Sequence, residues 1–111
     1  MTYATEEDIE ATLGYSITTE SLPTSSQVSK MLERADAIIN AEMHTSTNIT
    51  DSIGYLKAIA CNLVYKMVNN MLAMIKPDEF GPMEISLSEE EKRMIKLAYQ
   101  KWAMRSFEIG D

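Results

Sequence analysis

Few residues in this chain could do chemistry. Among its 111 residues His44 is the only histidine and Cys61 the only cysteine. A metal site needs several ligands held together, and no second His or Cys lies near His44 in sequence to complete one. His44 therefore reads as a solvated residue at a helix end, favoured there by the helix dipole. A nucleophilic cysteine needs a base to make its thiolate. With only His44 to supply one, Cys61 reads as a small buried hydrophobe. Glu89, Glu90 and Glu91 could be paired carboxylates for hydrolysis. However, Ser88-Glu89-Glu90-Glu91 is a capping box, in which Ser88 and Glu91 satisfy each other's backbone N–H groups at a helix start. That role accounts for the acids. No phosphate-binding glycine loop, Ser-His-Asp set or zinc spacing is present. The expectation is a protein that is not an enzyme and needs no cofactor or metal.

What remains is surface. The segment 88–109 reads as a helix with two apolar stripes. Met94, Ile95, Ala98, Tyr99, Trp102 and Ile109 form the main one. Leu97, Met104 and Phe107 form a second, flanked by Arg93, Gln100 and Lys101. One packed face needs one stripe, so the second suggests a partner. The other reading is a helix wrapped by its own domain on two sides; a third is binding to a membrane surface. The loop Phe80-Gly81-Pro82 reads first as a turn with one tucked aromatic, and second as a tip that touches a neighbour. The nine methionines read mostly as core fillers, with Met31, Met67, Met71, Met74 and Met94 on core faces; the second reading is a groove for a helical partner.

The elements that position these residues follow from periodicity and punctuation. A chain of this length is expected to be one domain, 1–111, with one core. The apolar share of 45% is that of a globular protein. The net charge of −7 disfavours non-specific binding to nucleic acid. Charge is uneven. Residues 1–20 hold five acids and no base, and residues 92–105 hold five bases and no acid. A single cysteine fits a reducing compartment. The opening MTYATEEDIE has neither the basic nor the apolar part of a signal peptide.

A short first helix should be capped by Thr5, with Glu6, Glu7 and Asp8 at its positive end, and should stop at Gly14. After the polar loop 15–25, a second helix should run to about Met43. Its stripe is Val28, Met31, Leu32, Ala35, Ile38, Ile39 and Met43, with Asp36 and Asn40 outside it. The third, 51–76, has no proline and an apolar arc from Ile53 to Ile75 that covers about half the wheel, wider than the ~100° stripe of a surface helix. Asn62, Lys66, Asn69 and Ala73 are placed opposite. This helix should be central, capped by Thr50 or Asp51 and ended by Lys76-Pro77. Lys57, Lys66 and its asparagines argue against a membrane span. Met83, Ile85 and Leu87 alternate as a brief strand would. The predicted fold is all-α: a small bundle of one short and three longer helices.

In this order the signals resemble the head–tail connector (adaptor) proteins of tailed bacteriophages. The resemblance covers about residues 3–95. It rests on the opening Tyr3-Ala4-Thr5-Glu6-Glu7-Asp8-Ile9-Glu10-Ala11-Thr12-Leu13-Gly14 and the stretch Leu32-Glu33-Arg34-Ala35-Asp36-Ala37-Ile38-Ile39. The long apolar helix, Phe80-Gly81-Pro82 and the start Leu87-Ser88-Glu89-Glu90-Glu91 complete it. The loop after the central helix is shorter than in that family, and the last helix extends beyond the matching region. The resemblance implies a virion protein of the neck, assembled in the host cytoplasm. It implies a ring of copies, usually dodecameric, between the portal and the tail stopper or tail protein, with DNA passing through the centre without specific binding. Arg93, Leu97, Lys101, Met104 and Phe107 would then meet the portal or a neighbouring subunit, on a C-terminal helix that projects to a partner. The alternative is a small regulatory protein that sequesters a partner helix in an apolar groove.

Overall fold

The structure, a computed structural model, describes residues 2–51 and 53–109, the side chains of 105–109 excepted. It is all-α, with helices α1 (Glu6–Leu13), α2 (Ser25–Met43), α3 (Tyr55–Ile75) and α4 (Glu89–Ile109). α1 is too short to persist alone, and its ends are closed as the sequence predicts. Thr5 and Asp8 form a reciprocal capping box, and Gly14 takes the left-handed conformation at φ +85°. α2 opens on a second capping box, between Thr24 and Gln27. Its C-cap is His44, left-handed at φ 57°. The Leu22–Pro23 peptide in the preceding loop is cis.

α3 packs against all three other helices, whereas α1 and α4 do not touch among the described residues. Its Leu56, Ala60, Leu63 and Val64 are fully buried. They join Ile9 of α1, Val28, Leu32 and Ile39 of α2, and Ile95 and Ala98 of α4 in one core. By length and composition α3 could also cross a membrane, but here it serves as the helix around which the others assemble.

Several details differ from expectation. α3 begins at Tyr55, later than the predicted 51, because Gly54 is its N-cap in the left-handed conformation (φ 77°). Thr50 is not the cap; Asp51 still contributes, since its Oδ2 accepts the Lys57 N–H at 2.9 Å. At the other end Met74 and Ile75 are exposed, although the helical wheel puts them on the core arc. The returning chain is bonded to α3 first at Asn69 and Asn70, so the last turn stands clear of any cover. Asn69 itself is buried, not solvated. Residues 83–87 have no regular secondary structure and form no strand; Met83 and Ser86 bond to the α3 side chains of Asn70 and Lys66 instead.

Asp36 and Asn40, outside the apolar stripe of α2, are also buried. They hold a polar network that joins three segments. The Tyr3 N–H donates to Asp36 Oδ1 at 3.1 Å, and the Tyr3 hydroxyl donates to Asn40 Oδ1 at 2.6 Å. That hydroxyl accepts the Ile49 N–H at 3.0 Å. Asn48 closes the ring, accepting from Asn40 and donating to Asp36, each at 2.8 Å. Buried polar groups need such partners.

The radius of gyration is 15.2 Å and the long dimension 54 Å, against about 13 Å expected for a compact chain of this length. The segment 81–88 runs antiparallel to α3, with Gly81 bonded at Asn69, Ser86 at Lys66 and Glu91 at Asn62. From that last level α3 extends about 20 Å one way, and α4 is about 30 Å long. The α3 tip at Met74 and Ile75 thus lies about 20 Å along α3 from the level at which Glu91 anchors α4.

Candidate functional site

α4 starts at a firm anchor. The Ser88 N–H donates to Glu91 Oε1 at 3.0 Å, and the Glu91 N–H donates to Ser88 Oγ at 3.1 Å. Glu91 Oε2 also accepts from Asn62 Nδ2 at 3.0 Å, which ties the cap to the middle of α3. Burial pushes the Glu91 carboxyl up, but the Ser88 and Asn62 hydrogen bonds and the nearby Lys66 outweigh it, and the net direction is down from the ordinary 4.5. Glu91 is therefore an ionised structural acceptor at neutral pH. Glu89 and Glu90 are exposed.

The anchored helix turns Ile95 and Ala98 into the core, with Met94, Tyr99 and Trp102 half-buried beside them. The Tyr99 and Trp102 rings pack with centroids 5.7 Å apart. The far side of the helix carries Arg93, Leu97, Lys101 and Met104, and all four are exposed. Leu97 is 48% and Met104 66% accessible. The chain does not wrap α4 on this side. The Phe107 and Ile109 side chains and Gly110 lie outside the described residues.

Beside this face, α4 and the end of α2 border a groove of about 590 Å³. Its lining mixes Met43, Ile95 and Tyr99 with Glu42, His44, Glu89, Lys92, Arg93 and Lys96. Arg93 thus borders both surfaces. His44 contributes an exposed edge, and the described residues contain no group of His, Cys, Asp and Glu that could hold a metal ion. Cys61 is half-buried on α3, where burial pushes its thiol up; it remains a protonated thiol at neutral pH, poorly suited to attack.

The turn after α3 lies at 77–79, where the Glu79 and Phe80 N–H groups donate to the Lys76 carbonyl, each at 3.1 Å; Phe80-Gly81-Pro82, expected to be the turn, follows it as a loop stitched to α3. Phe80 is half-buried and Gly81 and Pro82 are exposed. Asn69 Nδ2 donates to the Gly81 carbonyl at 2.7 Å. Asn70 both donates to the Met83 carbonyl and accepts the Met83 N–H, at 2.7 and 2.6 Å. The two asparagines replace the strand partner that residues 81–83 lack.

A second exposed surface lies at this tip. Met74 is 87%, Ile75 56% and Met83 39% accessible, and Asp78, Glu79 and Glu84 around them are exposed. Periodicity places Met74 and Ile75 in the core because it cannot show where cover ends. The signal that could locate this surface is positional: these residues follow Asn69-Asn70, where the returning chain attaches, and sit beside acids.

Compared with models of protein families, with curated proteins and with solved structures, the chain matches none.

Proposed function

We propose that this chain is a structural subunit of a virion neck, a head–tail connector that assembles as a ring between portal and tail. The observation that carries the reading is the exposed basic-apolar face of α4, opposite its buried face and on a helix anchored at its start by Ser88, Glu91 and Asn62. Exposed leucine and methionine among arginine and lysine on a rigid helix suit an anchored partner contact. The serial resemblance of residues 3–95 to connector proteins supplies the kind of partner. DNA would pass through the ring centre, and a net charge of −7 suits a wall that repels phosphate.

The test uses the full chain, tagged and recovered from its producing cells, with bound partners identified by mass and viewed by negative-stain microscopy. A large ring-forming partner carrying many copies is expected. Changing Leu97 and Met104 together to Asp should leave the helix content and melting temperature within a few degrees of the parent, since both are exposed, yet abolish that capture. One small partner at equal stoichiometry would overturn the reading.

A further inference from the structure

Two of the exposed apolar surfaces among the described residues, the α4 face and the α3 tip, are opposite in charge. The α4 face sets Leu97 and Met104 between Arg93 and Lys101, in a stretch, 92–105, that holds no acid. The α3 tip sets Met74, Ile75 and Met83 among Asp78, Glu79 and Glu84, with Lys76 the one base from 74 to 84. Each has apolar side chains left uncovered by the rest of the chain and a charged border. Neither covers the other within one molecule, since Leu97, Met104, Met74, Ile75 and Met83 are all exposed.

From this we infer that a second copy of the chain is the occupant of the α4 face, docking through its acidic, methionine-bearing α3 tip. Met74 and Met83 are unbranched and adapt to the surface around Leu97 and Met104. Asp78 and Glu84 meet Arg93 and Lys101, which fixes orientation and rejects a like-charged surface. The contact joins unlike patches, so it is heterologous: every copy offers a free tip and a free face, and association continues until a ring closes or a filament grows. The inference deepens the connector reading and rests on it only for the place where the ring is used. The tip is a rigid donor, because Asn69 and Asn70 hold the 81–83 backbone to α3.

Charge reversal on purified full-length protein tests the contact, read by sedimentation velocity over a range of concentrations. One variant carries Arg93→Glu and Lys101→Glu; the other carries Asp78→Lys and Glu84→Lys. All four positions are exposed, so both variants should fold, checked by helix content and melting. The parent chain should associate with increasing concentration, less so at high salt. Each variant alone should associate at least about tenfold more weakly, because its tip and face now carry like charge. An equimolar mixture should recover assembly, since each reversed surface then finds an opposite one on the other variant. Parent chain that stays monomeric at all concentrations, or a mixture that fails to recover, overturns the inference. Monomeric protein that still loads onto a ring-forming partner sinks the tip contact and leaves the connector reading standing. Recovered assembly with no such partner in cells does the reverse.

Discussion

The phenol of Tyr3 sits where the N-terminal segment, α2 and the 45–50 loop meet. It donates to Asn40 and accepts from the Ile49 backbone. Burial pushes its ionisation up, the Ile49 hydrogen bond lowers it, and nearby Asp36 and Asp51 raise it further, for a net rise above the ordinary 10.0. It is therefore a neutral hydroxyl with both hydrogen-bonding roles in use. Tyr3→Phe keeps the ring but strands a buried amide and a backbone N–H, and should cost about 1–3 kcal/mol, read as a lower urea midpoint with an unchanged slope. Glu91 makes a prediction in pH. Its carboxyl is held below the ordinary 4.5 in the folded state, so it stabilises the fold fully above that value and loses the contribution as pH falls through its lower folded-state value. Asp8, lowered below its ordinary 3.8, acts in the same direction: burial raises it, but the Thr5 hydrogen bonds and Lys57 prevail. The urea midpoint should hold steady from neutrality to about pH 5 and fall below pH 4. Glu91→Gln, already neutral, should show a shallower acid decline; an equal decline would remove Glu91 from the account.

At the level of elements, the starts and stops show how local signals compete with tertiary ones. Gly54 has φ 77°, with open space where a side chain would project. Gly54→Ala should therefore cost about 1 kcal/mol from left-handed backbone alone, seen in thermal melts, whereas Gly81→Ala, with no positive φ and equal space, should be close to neutral. A melt that treats the two alike would contradict this account of the α3 start. The sequence made α1, the span of α2 and the start of α4 legible because capping boxes and Gly14 act through neighbours in the chain. The all-α class and the centrality of α3 were legible because its arc is too wide for one partner. Burial of Asp36, Asn40 and Asn69 was not, since their partners lie far off in sequence or in a return loop with no periodicity. Helical spacing also describes Met74 and Ile75 as core; only the path of residues 81–88 decides that nothing covers them. The α4 stripe was legible as a second face, and the structure adds that this face is open.

Over the whole molecule, these elements make a body held by one helix, with the α4 face and the α3 tip among the surfaces it leaves uncovered. Because α3 touches every other helix, its core residues should act globally. Leu63 is fully buried near the middle of α3. Leu63→Ala should cost about 2–5 kcal/mol, and because the helices share one core, far-ultraviolet dichroism and Trp102 fluorescence should fall together in a single earlier transition. Leu97→Ala, on the open face of α4, should move stability by no more than about 0.5 kcal/mol, though it weakens whatever contact that face makes. The contrast separates the residues that build the molecule from those that it presents. If Leu63→Ala shifted dichroism and fluorescence at different denaturant concentrations, α4 would be a separately stable arm. The α4 face would then be free to move relative to the α3 tip, and no fixed head-to-tail geometry could follow from the fold.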